Sequence, residues 1–193
     1  MISLPAERYS VIYADPPWHF STYSAAGRGR TADAWYDCMS FEDIKAIPIS
    51  SISAKDCVLL LWVPDSHLRA AFGIIDAWGF SYKTVGFYWV KTNRTDADSY
   101  FMGLGFWTRT NPEQCLLATR GHPRRTSAAV RKLIVAPRRA HSQKPEEAYE
   151  RIEALLPGPY IELFARSRRE GWAAWDDETE SGPGKRRYRS DMR

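Results

Sequence analysis

Across residues 114–145 the sequence has no aspartate or glutamate, and across all 193 residues it has only three cysteines. Those three, Cys38, Cys57 and Cys115, are odd in number and widely spaced. They form neither a metal-ligand spacing nor a disulfide framework, so no metal site is expected and the chain reads as belonging to a reducing cytoplasm. Long apolar runs are also missing. The longest, Val58 to Val63, is far too short to span a bilayer, which needs about 20 residues. The first ten residues, MISLPAERYS, lack a cationic start followed by an apolar stretch and so do not read as a secretory signal. Disorder of the whole chain is excluded by 44% hydrophobic and 26% charged residues. The length suits one domain.

Aromatic and basic side chains are abundant. There are eight tryptophans, ten tyrosines and eight phenylalanines. Net charge is only +4, but the bases are clustered. The acid-free stretch holds Arg120, Arg124, Arg125, Arg131, Lys132, Arg138, Arg139 and Lys144. The C-terminal end adds Lys185, Arg186, Arg187, Arg189 and Arg193, and residues 179–193 read as a basic, disordered tail behind a domain of residues 1–178. Such clusters are what a polyanion such as nucleic acid requires, and phosphate contact is the favoured reading of the acid-free stretch.

The pattern along the chain alternates strands and helices. Tyr9 to Ala14 is apolar and β-branched, and Asp15-Pro16-Pro17 stops it, because tandem prolines cannot continue a ladder. Ser40 caps a short helix through Ile47. Cys57 to Val63 is a buried strand, a helix opens at Asp65 or Ser66 and runs through Trp78, and Gly79 is its natural stop. Tyr82 to Val90 is a third strand, and residues 91–111 read as a loop rich in aromatics. Strands are expected at Gln114 to Ala118 and Leu133 to Val135. A helix is expected behind Pro145, whose apolar face is Tyr149, Ile152, Leu155 and Leu156, then strands at Tyr160 to Phe164 and Gly171 to Trp175. This alternation predicts an α/β domain with a largely parallel sheet.

In open α/β sheets ligands bind beyond the carboxyl ends of strands, and Asp15-Pro16-Pro17-Trp18 stands at such an end. Asp15 offers an acceptor-only carboxylate, Pro16 a carbonyl, and Trp18 a flat face. Pro17 has no N–H to compete for that carbonyl. Two converging acceptors beside a stacking platform complement a heteroaromatic ring with an exocyclic NH₂, either adenine or cytosine. That amine is a poor nucleophile, since its lone pair is delocalised. Gripping both N–H bonds favours a tetrahedral nitrogen, and Asp15 stabilises the positive charge that develops during methyl transfer. In a duplex the base must first leave the stack, at a few kcal/mol. The plainer reading of the quartet is a rigid strand-ending turn.

In order, the chain carries ADPPW after a buried strand, YDCMSFEDI, LLLWVP, WVKTN, HSQKPEE and IELFARSRREGW. This ordered set resembles the S-adenosylmethionine-dependent adenine N(6)-methyltransferases, the family that includes the catalytic subunit of the eukaryotic mRNA adenosine methyltransferase and its bacterial and phage relatives. The resemblance covers residues 9–178. It implies a Rossmann-like methyltransferase fold in permuted order, the amine-binding motif preceding the cofactor-binding one. It also implies that Asp15 and the Pro16 carbonyl hold the target amine, that Pro17 completes the motif and that Trp18 packs on the base. For S-adenosylmethionine it implies contacts from Asp15, Lys144, Glu162 and Phe164 of the IELF strand, Arg166 at the ribose, and Asp177 and Glu178 after the next strand. His141 and Ser142 join them from the HSQKP run, although a surface-loop histidine fits His141 equally. Arg169 departs from the eukaryotic asparagine, and no Gly-x-Gly follows the IELF strand. On the substrate side the resemblance supplies Tyr36 and Glu113, while Lys91 and Asn93 are polar at a strand end. Trp107 either stacks a nucleotide or anchors its loop. Trp62, Trp78, Trp89 and Trp172 read as core.

The expected activity is methyl transfer to adenine in nucleic acid, with DNA favoured over RNA because a compact chain with no attached RNA-binding module resembles the bacterial and phage forms. The alternatives are an RNA adenine methyltransferase and a non-catalytic nucleic-acid-binding subunit. Family relatives dimerise, so a homodimer or a heterodimer with a homologue is an expectation. No membrane partner is expected.

Overall fold

The computed structural model describes residues 4–19, 38–96, 98–139 and 143–175. Seven strands form one sheet: β1 (Tyr9–Ala14), β2 (Ser53–Val63), β3 (Ser81–Thr92), β4 (Glu113–Arg120), β5 (Leu133–Pro137), β6 (Tyr160–Leu163) and β7 (Trp172–Trp175). Three helices accompany them: α1 (Phe41–Ala46), α2 (Leu68–Ala77) and α3 (Glu146–Leu155). The strand order is β5-β3-β4-β2-β1-β6-β7. Every neighbouring pair is parallel except those involving β4, which runs antiparallel to both β2 and β3. The sheet is therefore mostly parallel, as in a Rossmann-like methyltransferase.

Both faces of the sheet are covered. One cluster packs Ile12, Leu59, Leu61 and Val63 under α1 and α2, through Ile44, Ile74, Ile75 and Trp78. The other packs Val11, Tyr13, Leu60 and Trp62 under α3, through Ala148, Ile152 and Leu156. Consecutive residues of β1 and β2 thus point into different cores. A strand buried on both sides has no polar face, so it appears as an uninterrupted apolar run. Each fully buried large side chain contributes about 1.5–3 kcal/mol. Buried indoles find acceptors: Trp78 Nε1 donates to the Ile44 carbonyl at 3.0 Å, and Trp89 Nε1 to the Ala136 carbonyl at 3.0 Å. Trp62, Trp78, Trp89 and Trp172 are all buried, which agrees with their reading as core.

Three expectations change. The helix expected from Asp65 or Ser66 begins as a 3₁₀ turn, Asp65–His67, and becomes α-helical at Leu68. The loop expected over residues 91–111 is partly ordered, since β3 runs on through Thr92 and residues 98–111 are not an open loop. Bridges Thr92↔Tyr100 and Gly103↔Thr110 make a hairpin between β3 and β4. The acid-free basic stretch is not one surface. Strand β4 runs away from the carboxyl ends of the parallel strands, so Arg120, paired with Cys57 at the start of β2's apolar run, lies at the far end of the sheet. Arg124, Arg125, Arg131 and Lys132 follow it there, and β5 then returns the chain, placing Arg138 and Arg139 at the near end. The basic tail after residue 178 lies outside the described residues. Among the described residues no helix is long and apolar enough to cross a membrane.

Candidate active site

The chain leaves β1 toward β2 on one side, while β6 lies on the other side of β1. The crevice at the carboxyl ends of β1 and β6 is therefore the point where strand order reverses, the usual ligand position in such sheets. Asp15 follows β1 directly, and register pairs Ala14 with Leu163 and Tyr13 with Glu162. A pocket opens there, enclosing about 630 Å³ with its open mouth included. Asp15, Lys144, Tyr149, Glu162, Phe164 and Arg166 line it, together with Arg139, Gln143, Glu146, Ser167, Arg168 and Arg169.

A buried charge network sits at its base. Lys144 is 8% exposed, and its Nζ lies 3.0 Å from Asp15 Oδ2 and 3.0 Å from Glu113 Oε2. Glu113 Oε1 also accepts from Lys91 Nζ at 2.5 Å. Antiparallel β4 makes this possible. Its first residue, Glu113, sits at the same edge as the last residues of β2 and β3. Burial alone pushes Glu113 upward, but the ammonium groups of Lys144 and Lys91 outweigh it and hold the carboxyl down at about 2. Burial likewise pushes Lys144 down, and the carboxylates of Asp15 and Glu113 more than reverse this, leaving its pKa raised and the group charged. Lys144 also lies 5.3 Å from the Trp62 ring centroid, and Lys91 5.2 Å from that of Trp89.

Glu162 forms the other wall. It is 8% exposed, and its Oε1 accepts from the Tyr149 hydroxyl at 2.9 Å. Burial raises its carboxyl to about 7, the nearby Asp15 adds to the rise, and Tyr149, Arg166 and Lys144 oppose it. Burial and the same carboxylate push the Tyr149 phenol upward. Phe164, at the end of β6, has φ +60, a left-handed conformation unusual for a bulky residue, and packs edge-on against Trp175. That turn stands where other nucleotide-binding folds place glycine.

The strand-ending quartet differs in two respects from its sequence reading. The Pro16 carbonyl already accepts the Trp18 N–H at 2.9 Å, and the Pro17 carbonyl accepts that of Met39 at 2.9 Å. Removing the Pro17 N–H thus leaves a tight turn closed by the next residue, with one lone pair of the Pro16 oxygen still available. Trp18 is no open platform. It is 3% exposed, donates from Nε1 to the Trp62 carbonyl at 3.1 Å, and packs near Phe41 and His67. Burial of so large an apolar surface outweighs leaving it in water.

Asp15, Lys144, Glu162, Phe164 and Arg166 meet in the pocket, with Glu113 and Lys91 behind Lys144. Asn93 is turned to its own loop, donating to Ser99 Oγ at 2.7 Å, and Trp107 stands at the hairpin tip. Tyr36, His141, Ser142, Asp177 and Glu178 lie outside the described residues. The sequence reading places Arg139 only in the basic stretch and Tyr149 only on a helix face, yet both line the pocket. In sequence, Tyr149 is only one more aromatic on the apolar face of α3, and nothing local announces that its hydroxyl reaches Glu162. Arg169 joins the pocket by pairing with Glu146 and with Glu153, the latter at 3.0 Å, over the Tyr149 ring.

A model of the MT-A70 family matches residues 9–178. The chain belongs to the MT-A70 family. A type II methyltransferase, M.MunI, from a Mycoplasma species is 31% identical over 190 residues, covering 89% of this chain and 78% of its own length. The human N(6)-adenosine-methyltransferase catalytic subunit METTL3 is 29% identical over 161 residues. An N(6)-adenosine-methyltransferase MT-A70-like protein of Drosophila melanogaster is 30% identical over 161 residues. The chain spans only 26% and 24% of the lengths of these two. The MT-A70 match ends three residues beyond β7, so it takes in every strand of the sheet.

Proposed function

We propose that this adenine N(6)-methyltransferase acts on DNA and draws its methyl group from S-adenosylmethionine held in the crevice between β1 and β6. The observation that carries the reading is the buried Asp15–Lys144–Glu113 network beside Glu162 at the switch point of the sheet. When bound, S-adenosylmethionine supplies an electrophilic methyl on a sulfonium centre. The pocket fits such a molecule. Glu162 accepts one hydrogen bond from Tyr149 and keeps Oε2 for hydroxyl donors, while Arg139, Arg166 and Lys144 present cations for a carboxylate end.

The residues of the chain do the rest. Lys144 clamps Asp15 in one rotamer through a charge-assisted bond. Asp15 and the remaining lone pair of the Pro16 carbonyl accept the two N–H bonds of the amine. As the amine nitrogen takes up the methyl group that S-adenosylmethionine would supply, it would gain positive charge, and the fixed Asp15 carboxylate would stabilise that charge. The extra proton would pass to solvent water afterwards, so no strong base is needed beforehand. We read the motif order, amine-binding Asp15 on β1 ahead of Glu162 on β6, as the permuted one. The DNA assignment is supported by the 78% of the Mycoplasma type II methyltransferase that the chain matches, against about a quarter of the eukaryotic relatives.

The test is labelled S-adenosylmethionine with duplex DNA, single-stranded DNA and structured RNA in parallel. Label in DNA is expected, and label in RNA alone overturns the DNA assignment. Asp15→Asn is expected to reduce transfer by about 10²–10³-fold, the usual effect of losing one preorganised electrostatic group. Binding of S-adenosylmethionine by calorimetry should survive in that variant. Undiminished turnover would remove Asp15 from the mechanism.

A further inference from the structure

The hairpin between β3 and β4 is an apolar projection rooted in the active site. Phe101 N–H donates to the Lys91 carbonyl at 2.9 Å. The Asn111 side chain then imitates a strand neighbour, its Oδ1 accepting from Lys91 N–H at 2.9 Å and its Nδ2 donating to the Lys91 carbonyl at 2.8 Å. Lys91 is the residue whose ammonium holds Glu113 against Lys144. From this root the hairpin reaches into solvent with Tyr100 66%, Met102 70%, Leu104 63%, Phe106 55% and Trp107 106% exposed. That is an unusual apolar concentration for a surface, and such patches mark contact sites.

The tip is built to a shape. A Cβ on Gly105 would lie 2.2 Å from the Thr108 carbonyl oxygen, so only glycine permits the two arms to close. Thr108 N–H donates to the Phe106 carbonyl at 2.7 Å across Trp107, which has φ +65. This is the γ-turn of positive φ, rare and strained for a bulky residue. It turns the indole outward. The charge around it has one sign. Residues 99–112 contain no acid, with Asp96 and Asp98 confined to the entry turn. Arg109 lies beside the tip. The Arg138 guanidinium lies 3.7 Å from the Phe101 ring centroid, and Arg94 donates to the carbonyls of Arg138 and Arg139, tying the hairpin to the end of β5. Aromatic faces interleaved with arginine suit stacked bases on a polyanionic backbone.

The position supplies the reason for such an element. Asp15 is only 9% exposed at the bottom of its crevice, so an adenine in a duplex has to leave the stack to bring its amine there. Leaving the stack costs pairing and stacking energy, and apolar wedges inserted at base steps offset that cost in other proteins. Resting on the nucleic-acid reading above, we propose that the hairpin from Tyr100 to Thr110 is a wedge for duplex DNA, with Trp107 stacking in the place vacated by the extruded adenine.

The experiment compares mixed-sequence duplex DNA with the same DNA heat-denatured, using labelled S-adenosylmethionine and wild type, Trp107→Ala and Trp107→Phe. An exposed indole is not needed for folding, and cofactor calorimetry verifies that the pocket is intact. Trp107→Ala should lower kcat on duplex tenfold or more, but less than twofold on denatured DNA, where the base is already unstacked. Trp107→Phe should recover most of the duplex rate. Equal losses on both substrates, or no loss, overturn the wedge. So does a wild type active on denatured DNA alone. Loss on both together with a dimer-to-monomer shift in sedimentation assigns the patch to a second copy of the chain instead. A wild type that labels only RNA rejects the DNA substrate separately, and the ratio between structured and melted RNA then reads the wedge in the same way.

Discussion

Glu162 is the residue whose environment has the most direct consequence for solution behaviour. Burial lifts its carboxyl from 4.5 to about 7. Between those values the folded chain keeps a proton that the unfolded chain has already lost. Unfolding therefore releases that proton, and stability falls as pH rises from about 4.5 to about 7, by up to about 3 kcal/mol from this group alone. Glu162→Gln removes the titration. Urea unfolding at pH 5 and pH 8 should show wild type losing stability relative to the variant, and identical pH dependence would contradict a raised carboxyl. How visible such residues are in sequence depends on distance along the chain. Asp15 is legible because its turn is contiguous: the strand, two prolines and an aromatic stand side by side. Lys144 and Glu162 emerge only through resemblance to the family. The Tyr149–Glu162 bond and the Lys91–Glu113–Lys144 chain join residues separated by 13 to 31 positions, and no local pattern encodes them. The surroundings of Trp18 depend on distance along the chain in the same way. A tryptophan beside a site reads as a platform until Phe41, His67 and the Trp62 carbonyl are seen to enclose it.

At the scale of elements, strands were the readable part, because a doubly buried strand is an apolar run whatever its partners. Direction was not readable. Nothing in Glu113–Arg120 distinguishes an antiparallel β4 from one more parallel strand, yet its reversal is what delivers Glu113 to the site. The reversal ends in a turn that can be tested. Gly121 has φ +64, and a Cβ there would lie 2.3 Å from Asp56 Oδ1 and 2.4 Å from the Lys55 carbonyl oxygen. Asp56 is already committed, since its Oδ1 accepts the His122 N–H at 2.8 Å. Gly121→Ala adds left-handed strain of about 1–2 kcal/mol and a clash with backbone that cannot rotate away. Thermal unfolding should show a loss of about 5–10 °C. Because the turn lies at the far end of the sheet, methylation per folded molecule should not change. A midpoint within 1 °C of wild type would show that the turn yields more easily than its contacts indicate.

For the whole molecule, charge is the property that folding rearranges most. A net +4 with a run of eight bases and no acids suggests one phosphate-binding band. The path of β4 and β5 cuts that band in two, leaving Arg124 and Arg125 at one end of the sheet and Arg138 and Arg139 at the other, next to the pocket and the aromatic hairpin. On the DNA reading proposed above, only the second group lies at the end of the sheet where Asp15 would meet the target amine. Each phosphate neutralised by a cation contributes about 0.9 to the slope of log affinity against log salt on duplex DNA. Arg109→Ala, beside the hairpin tip, should therefore weaken duplex binding and reduce that slope by about 1. The double change Arg124→Ala with Arg125→Ala should leave both slope and methylation within twofold of wild type, although it removes twice the charge. Fluorescence anisotropy with labelled duplex DNA across a salt series separates the two cases. If the double variant lost slope and the Arg109 variant did not, DNA would have to cross the far end of the sheet, and Asp15 could not be where its adenine is read.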